Sequence, residues 1–139
     1  MPRNFGITII SGVTVVKITY LWQIVKLARL PIVLAVCPTF LVGVLFAILQ
    51  GTGFILSNFL WGFSILFIIE IAASFANDYF DYKADTYNKQ LGFSGGSGVL
   101  PRYPELRLFA KWASIVLMIL AIILTVLLTW YAAFPLWTI

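Results

Sequence analysis

The chain has 139 residues, of which 62% are hydrophobic and 10% charged, against about 25% charged in an average soluble domain. A soluble fold of this size has too little interior to bury that much apolar surface, so lipid must solvate much of it. The absence of histidine excludes zincin, Ser-His and haem sites. The net charge of +4 bears on membrane orientation and on anionic ligands rather than on nucleic acid.

Residues 1–28 precede the first long apolar run and are expected to form an interfacial segment. Aromatic and basic side chains in this segment are typical of residues at headgroup level. They are Tyr20, Trp22 and Lys26, with Arg29 directly after the segment. A signal peptide is less favoured, because Lys17 follows the weak apolar run without a small-residue cleavage site.

Three apolar runs, at about residues 30–50, 54–77 and 108–133, are predicted to cross the membrane. Each approaches the roughly 20 residues that a helix needs to span about 30 Å of hydrocarbon. Pro38 should bend the first helix, and Pro135 should end the third. The lone Cys37, within an apolar run, is interpreted as a small buried hydrophobe. The predicted fold class is an all-α, multi-pass transmembrane bundle.

Basic residues cluster on two segments of the chain. They precede the first span and recur between the second and third, whereas residues 50–57 carry no charge. The positive-inside rule therefore puts the N-terminus and the 78–107 connection in the cytoplasm. We expect a multi-pass protein of the inner or plasma membrane with its active site facing the cytoplasm.

Three of the five carboxylates in the chain lie within eight residues, at Asp78, Asp81 and Asp85. If the second helix continues that far, they fall within about 60° of one another, and Asn77 widens the arc to about 100°. Like charges at this spacing repel, and carboxylate and amide oxygens are ligands that Mg²⁺ or Mn²⁺ prefers. The alternative is a solvated helix end, which the helix dipole disfavours at a C-terminus.

Glu70 and Ser74 lie on the same helical face, one to two turns deeper in the apolar run. An intramembrane carboxylate is a functional hypothesis by default. Glu70, Ser74 and Arg29 are candidates for a polar pocket that binds an acceptor. A protonated Glu70 hydrogen-bonded to a neighbouring helix explains its presence equally well.

Residues 91–101 form a glycine-rich loop that follows the acidic cluster directly. A flexible linker would have this composition too. Next to carboxylates, however, backbone N–H groups and basic side chains can bind the anion that the metal bridges. The candidate diphosphate-binding residues are Lys83, Lys89, Gly95, Gly96, Ser97 and Arg102.

At this point the sequence resembles the UbiA superfamily of intramembrane prenyltransferases. Residues 77–85 fit the family's first aspartate-rich motif, N-D-x-x-D-x-x-x-D, at every defined position. Residues 28–43, with an arginine, two prolines and a glycine, are similar to the family's first helix. Residues 91–101 are similar to loops of the 1,4-dihydroxy-2-naphthoate branch, which belongs to menaquinone synthesis.

The resemblance implies a bundle of eight or nine spans in which two aspartate-rich motifs bind Mg²⁺ and a polyprenyl diphosphate. The polyprenyl group would be transferred to an aromatic acceptor. Asn77, Asp78, Asp81 and Asp85 would bind the metal, with the three aspartates catalytic. No acidic residue follows Glu105, so the second motif is missing. We therefore expect an N-terminal part of the enzyme that is inactive without its C-terminal half.

Three other functions remain open on sequence. A transporter or channel would use Glu70 and the aspartates as an ion or proton path. A CDP-alcohol phosphotransferase is also an aspartate-rich membrane enzyme, but its Asp-Gly and Ala-Arg order is absent. A membrane adaptor would leave the acidic face unexplained.

Overall fold

The computed structural model describes residues 18–87 and 96–132, and every regular element within these two ranges is helical. This agrees with the predicted all-helical class. These ranges contain five α-helices, with a 3-10 turn at Pro104–Leu106 before the last of them. They are α1 Ile18–Leu27, α2 Leu30–Ala35, α3 Cys37–Leu49, α4 Leu56–Tyr87 and α5 Arg107–Ala132.

Helices α1, α2 and α3 follow one another with two breaks. At the first break, Arg29 has φ 48° and ψ 48°, a left-handed conformation that costs a non-glycine residue about 1–2 kcal/mol. At the second, the axis bends by 41° between Ala35 and Cys37. Pro38 lacks the N–H that a continuous helix would donate to the Leu34 carbonyl, and its ring crowds the preceding turn. The predicted bend at Pro38 is confirmed.

Helices α4 and α5 are long and apolar enough to cross a membrane, and the bent run Tyr20–Leu49 makes a third candidate if counted as one span. These lengths and compositions are those of a helical membrane protein. At 1.5 Å per residue the 32-residue α4 is about 48 Å long, against a hydrocarbon thickness of about 30 Å. Helix α4 therefore continues beyond its apolar stretch through Asp85, as the acidic-face hypothesis required.

Helices α4 and α5 pack antiparallel. Trp61 stacks on Tyr131 at one end, with ring centroids 5.9 Å apart, and Phe75 meets Phe109 edge-on near the other, at 6.0 Å. The buried core lies at this second end, around the junction with the loop. It consists of Leu27, Ala28, Phe75, Val99, Leu100, Leu106 and Ala110. The best-packed region of the described chain therefore surrounds the acidic end of α4.

Candidate functional site

Asp78 is the carboxylate around which the acidic end of α4 is organised. Only 2% of its surface is exposed. Its Oδ1 forms an ion pair with the Arg29 guanidinium and accepts a hydrogen bond from the Ser97 backbone N–H, at 3.2 Å. Its Oδ2 accepts a hydrogen bond from the Ser97 hydroxyl. A buried charge is stable only when it is paired and hydrogen-bonded, and these contacts meet that need. They also link α4 to the α1–α2 junction and to the loop.

Arg29 occupies the left-handed break between α1 and α2, and its side chain is 16% exposed. The sequence placed Arg29 in an acceptor pocket with Glu70 and Ser74. In the structure its guanidinium lies instead on Asp78, at the end of the helix where the metal was predicted. Its Nε is buried with no hydrogen-bond partner among the described residues. Among the described residues, Arg29 is therefore the cation that pairs with the buried carboxylate of the acidic motif.

The glycine loop reaches the acidic face, as predicted, through Gly96 and Ser97. The Gly96 N–H donates to Asp85 Oδ1 at 3.4 Å. A Cβ added to Gly96 would overlap the Asp85 carboxylate, so a larger residue here must displace either that side chain or the loop. The predicted diphosphate residues Lys89 and Gly95 lie outside the described residues.

Substituting Gly96 with alanine should separate the loop from the Asp85 carboxylate. We expect Gly96→Ala to lower the free energy of unfolding in detergent by about 1 kcal/mol, the net contribution of the lost hydrogen bond. Gly53→Ala is the matched control, because a Cβ there meets nothing within 4 Å. Equal stability of the two variants would show that the loop does not bear on Asp85 in solution.

The remaining members of the motif are more accessible than Asp78. Asn77 and Asp81 are exposed and Asp85 is half-buried. Across residues 18–87 and 96–132, no three His, Cys, Asp or Glu side chains converge on one point. Mg²⁺ commonly takes only one or two carboxylates, with waters and substrate phosphates completing its shell. Asp81 and Asp85, one turn apart on one helical face, fit that requirement better than Asp78, whose oxygens are already engaged.

The other predicted polar residues do not join this network. Lys83 and Arg102 are exposed. Ser74 is buried and Glu70 is half-buried in α4, and the described chain gives the Glu70 carboxylate no ion pair or hydrogen bond. The structure thus brings Arg29, Asp78, Asp85, Gly96 and Ser97 together, but it separates Arg29 from Glu70, its predicted pocket partner.

Glu70 lies two turns from Asp78, about 12 Å along the helix. We therefore expect Glu70→Gln to leave Mg²⁺-dependent binding of an allylic diphosphate unchanged when measured by calorimetry on the full-length protein. A loss of that binding would put Glu70 at the metal site.

A cluster of cations and aromatic rings, absent from the predicted site, lies where α5 meets α4. The Arg107 guanidinium is 4.9 Å from the ring centroid of Tyr79 and 4.8 Å from that of Tyr82. The Lys111 ammonium is 5.9 Å from the Tyr79 ring and 5.6 Å from that of Trp112. The sequence did carry a signal for this cluster, because two basic residues four positions apart at the start of an apolar helix share one face.

Comparison with known proteins adds no family assignment. No protein-family model matches the chain, and neither a curated protein nor a solved structure matches it.

Proposed function

We propose that the chain contributes the first half of the active site of a Mg²⁺-dependent intramembrane prenyltransferase of the UbiA type. The substrate would be an allylic polyprenyl diphosphate, and the acceptor an aromatic quinone precursor such as 1,4-dihydroxy-2-naphthoate. The acceptor class rests on the sequence resemblance alone. The observation that carries the proposal is that anion-binding donors and carboxylates meet at one end of α4.

A metal diphosphate carries both signs of charge, and so does this site. Carboxylates attract the cation, while a guanidinium and backbone N–H groups attract phosphate oxygens. Within the described residues these groups satisfy one another, since Arg29 and Ser97 bind Asp78 and the Gly96 N–H binds Asp85. The same donors can turn to phosphate oxygens when the donor substrate binds. The electrostatic complementarity supports a diphosphate over a simple cation or anion.

We propose a role for each group from its position on the helix. Asp81 and Asp85, with Asn77 beside them, would hold Mg²⁺, which supplies charge neutralisation for the departing diphosphate. Arg29 and the N–H groups of Gly96 and Ser97 would hold the phosphate oxygens. Asp78 would position Arg29 and Ser97. Its carboxylate would become free for the metal, the role predicted from the sequence, once those donors turn to phosphate oxygens.

In the proposed reaction the C–O bond between the allylic carbon and the diphosphate breaks, and a C–C bond to the acceptor ring forms. The ring then loses one proton, so diphosphate and a proton are the by-products. The carbon chain and the aromatic acceptor require a water-poor environment, because water would intercept the allylic cation. The apolar stretch of α4 that precedes Asn77 offers such a wall.

Calorimetric titration of the full-length protein with geranylgeranyl diphosphate tests the proposal. Binding is expected with Mg²⁺ and not with excess chelator. Equal binding in both conditions would overturn the metal–diphosphate site.

The half-buried Glu70 within the apolar part of α4 favours one other function, a proton or ion path. Proteoliposomes loaded with a pH-sensitive dye distinguish the two. Proton flux that Glu70→Gln abolishes, without Mg²⁺-dependent diphosphate binding, would favour transport.

A further inference from the structure

The start of α5 presents two cations with no matching carboxylate. The described residues pair neither Arg107 nor Lys111 with an acidic side chain. Glu105, the nearest acid in sequence, instead accepts a hydrogen bond from Tyr20 at 3.1 Å. Arg107 and Lys111 also lie four residues apart at the N-terminal end of a 26-residue helix, where the dipole is positive. Two positive charges at this end of the helix favour the binding of an anion from outside the protein.

The aromatic rings around these cations hold them in place without neutralising them. Arg107 is held by Tyr79 and Tyr82, and Lys111 by Tyr79 and Trp112. A cation–π contact uses the ring face and leaves the cation its formal charge. A guanidinium fixed by stacking is suited to bind two oxygens of one phosphate, and the neighbouring ammonium can bind a third.

The surroundings of the cluster are those of a membrane surface. Trp112 and Leu108 beside it are 60% and 67% exposed, and the rest of α5 is a long apolar helix. Tryptophan is enriched where headgroups meet acyl chains, and basic pockets at that level bind anionic headgroups. A soluble phosphate would contact only the two cations. A phospholipid would contact the cations with its headgroup and the apolar side chains with its acyl chains.

The cluster borders the acidic face, but among the described residues the two share no hydrogen bond or ion pair. Asp78 is bonded to Arg29 and Ser97, whereas the cations of α5 lie against Tyr79 and Tyr82, about 100° and 40° round the helix from Asp78. We propose that Arg107 and Lys111 bind the phosphate of an anionic phospholipid at the membrane surface. This inference goes beyond the proposed prenyl transfer and requires only that α5 lies in the membrane.

Conservative substitution of the stacked arginine tests the proposal. We expect Arg107→Lys to weaken binding of phosphatidylglycerol to the detergent-solubilised full-length protein about tenfold, roughly the loss of one charge-assisted hydrogen bond. Native mass spectrometry counts the bound lipids. Arg102→Lys is the matched control, because Arg102 is exposed, and its lipid binding should equal that of the wild type. Lys111→Gln should also weaken binding, and phosphatidylcholine should bind weakly to all variants.

Three outcomes would overturn the proposal. The first is equal lipid binding by Arg107→Lys and Arg102→Lys, which would mean non-specific attraction to net charge. The second is equal retention of phosphatidylcholine and phosphatidylglycerol. The third is displacement of the lipid by excess inorganic diphosphate, which would assign the cations to a soluble phosphate. Unfolding curves recorded without lipid separate a weakened site from a misfolded variant, and a binding loss that tracks instability would count against the site.

Discussion

Replacing Asp81 or Asp85 with alanine is expected to weaken Mg²⁺-dependent binding of an allylic diphosphate by more than about 100-fold and to abolish prenyl transfer by the full-length protein. Even the outer-shell partners of metal ligands contribute about 10–100-fold to metal affinity, so a direct ligand should contribute more. Calorimetry with and without Mg²⁺ measures the first effect, and product formation measures the second.

A matched control for these variants is Glu105→Ala, which removes a carboxylate on the far side of the loop. Glu105 is exposed and bonded to Tyr20, so its loss should leave Mg²⁺ dependence unchanged. Wild-type transfer by Asp81→Ala or Asp85→Ala would contradict the metal assignment. An equal loss in Glu105→Ala would indicate a general effect of negative charge.

Asp78→Ala is also expected to abolish transfer, but through the fold as well as the site. Without the carboxylate, the guanidinium of Arg29 remains largely buried and unpaired. Breaking a buried ion pair in this way costs about 3–5 kcal/mol. The exposed Asp81 is the comparison, since a surface substitution usually changes stability by no more than about 0.5 kcal/mol. Unfolding in detergent should therefore separate the two alanine variants clearly.

A double-mutant cycle isolates the contribution of the pair. Replacing both partners, as in Arg29→Met with Asp78→Leu, removes the unpaired charge, so the double variant should be more stable than Asp78→Leu alone. Asp78→Ala proving as stable as Asp81→Ala would mean that the ion pair does not form in the folded protein.

Local sequence patterns predicted the structure well where a single residue type imposes a constraint on the backbone. The missing N–H of Pro38 breaks the first helix, and the unbroken helical sequence after Ala76 carries α4 through Asp85. The approach of the loop to the acidic face was also predicted, because Gly96 and Ser97 follow the carboxylates closely in sequence.

Sequence patterns did not predict the contacts between distant parts of the chain. Arg29 and Asp78 are 49 residues apart, and only the packing of α1 and α2 against α4 brings them together. The stacking of Arg107 on Tyr79 and Tyr82 likewise depends on the register between α4 and α5. Within an apolar sequence, helical periodicity identifies a helix, but it does not identify which neighbour each face meets.

The left-handed conformation of Arg29 has a consequence for redesign of the protein. Glycine and asparagine adopt this conformation most readily, but neither has a cationic side chain. No proteinogenic substitution at position 29 can therefore relax the backbone and also keep a charge beside Asp78. Glycine would relieve about 1–2 kcal/mol of backbone strain, but it would leave Asp78 buried without its cation, a loss of about 3–5 kcal/mol. At this residue the ion pair outweighs the strain, so selection for stability and selection for activity both retain arginine.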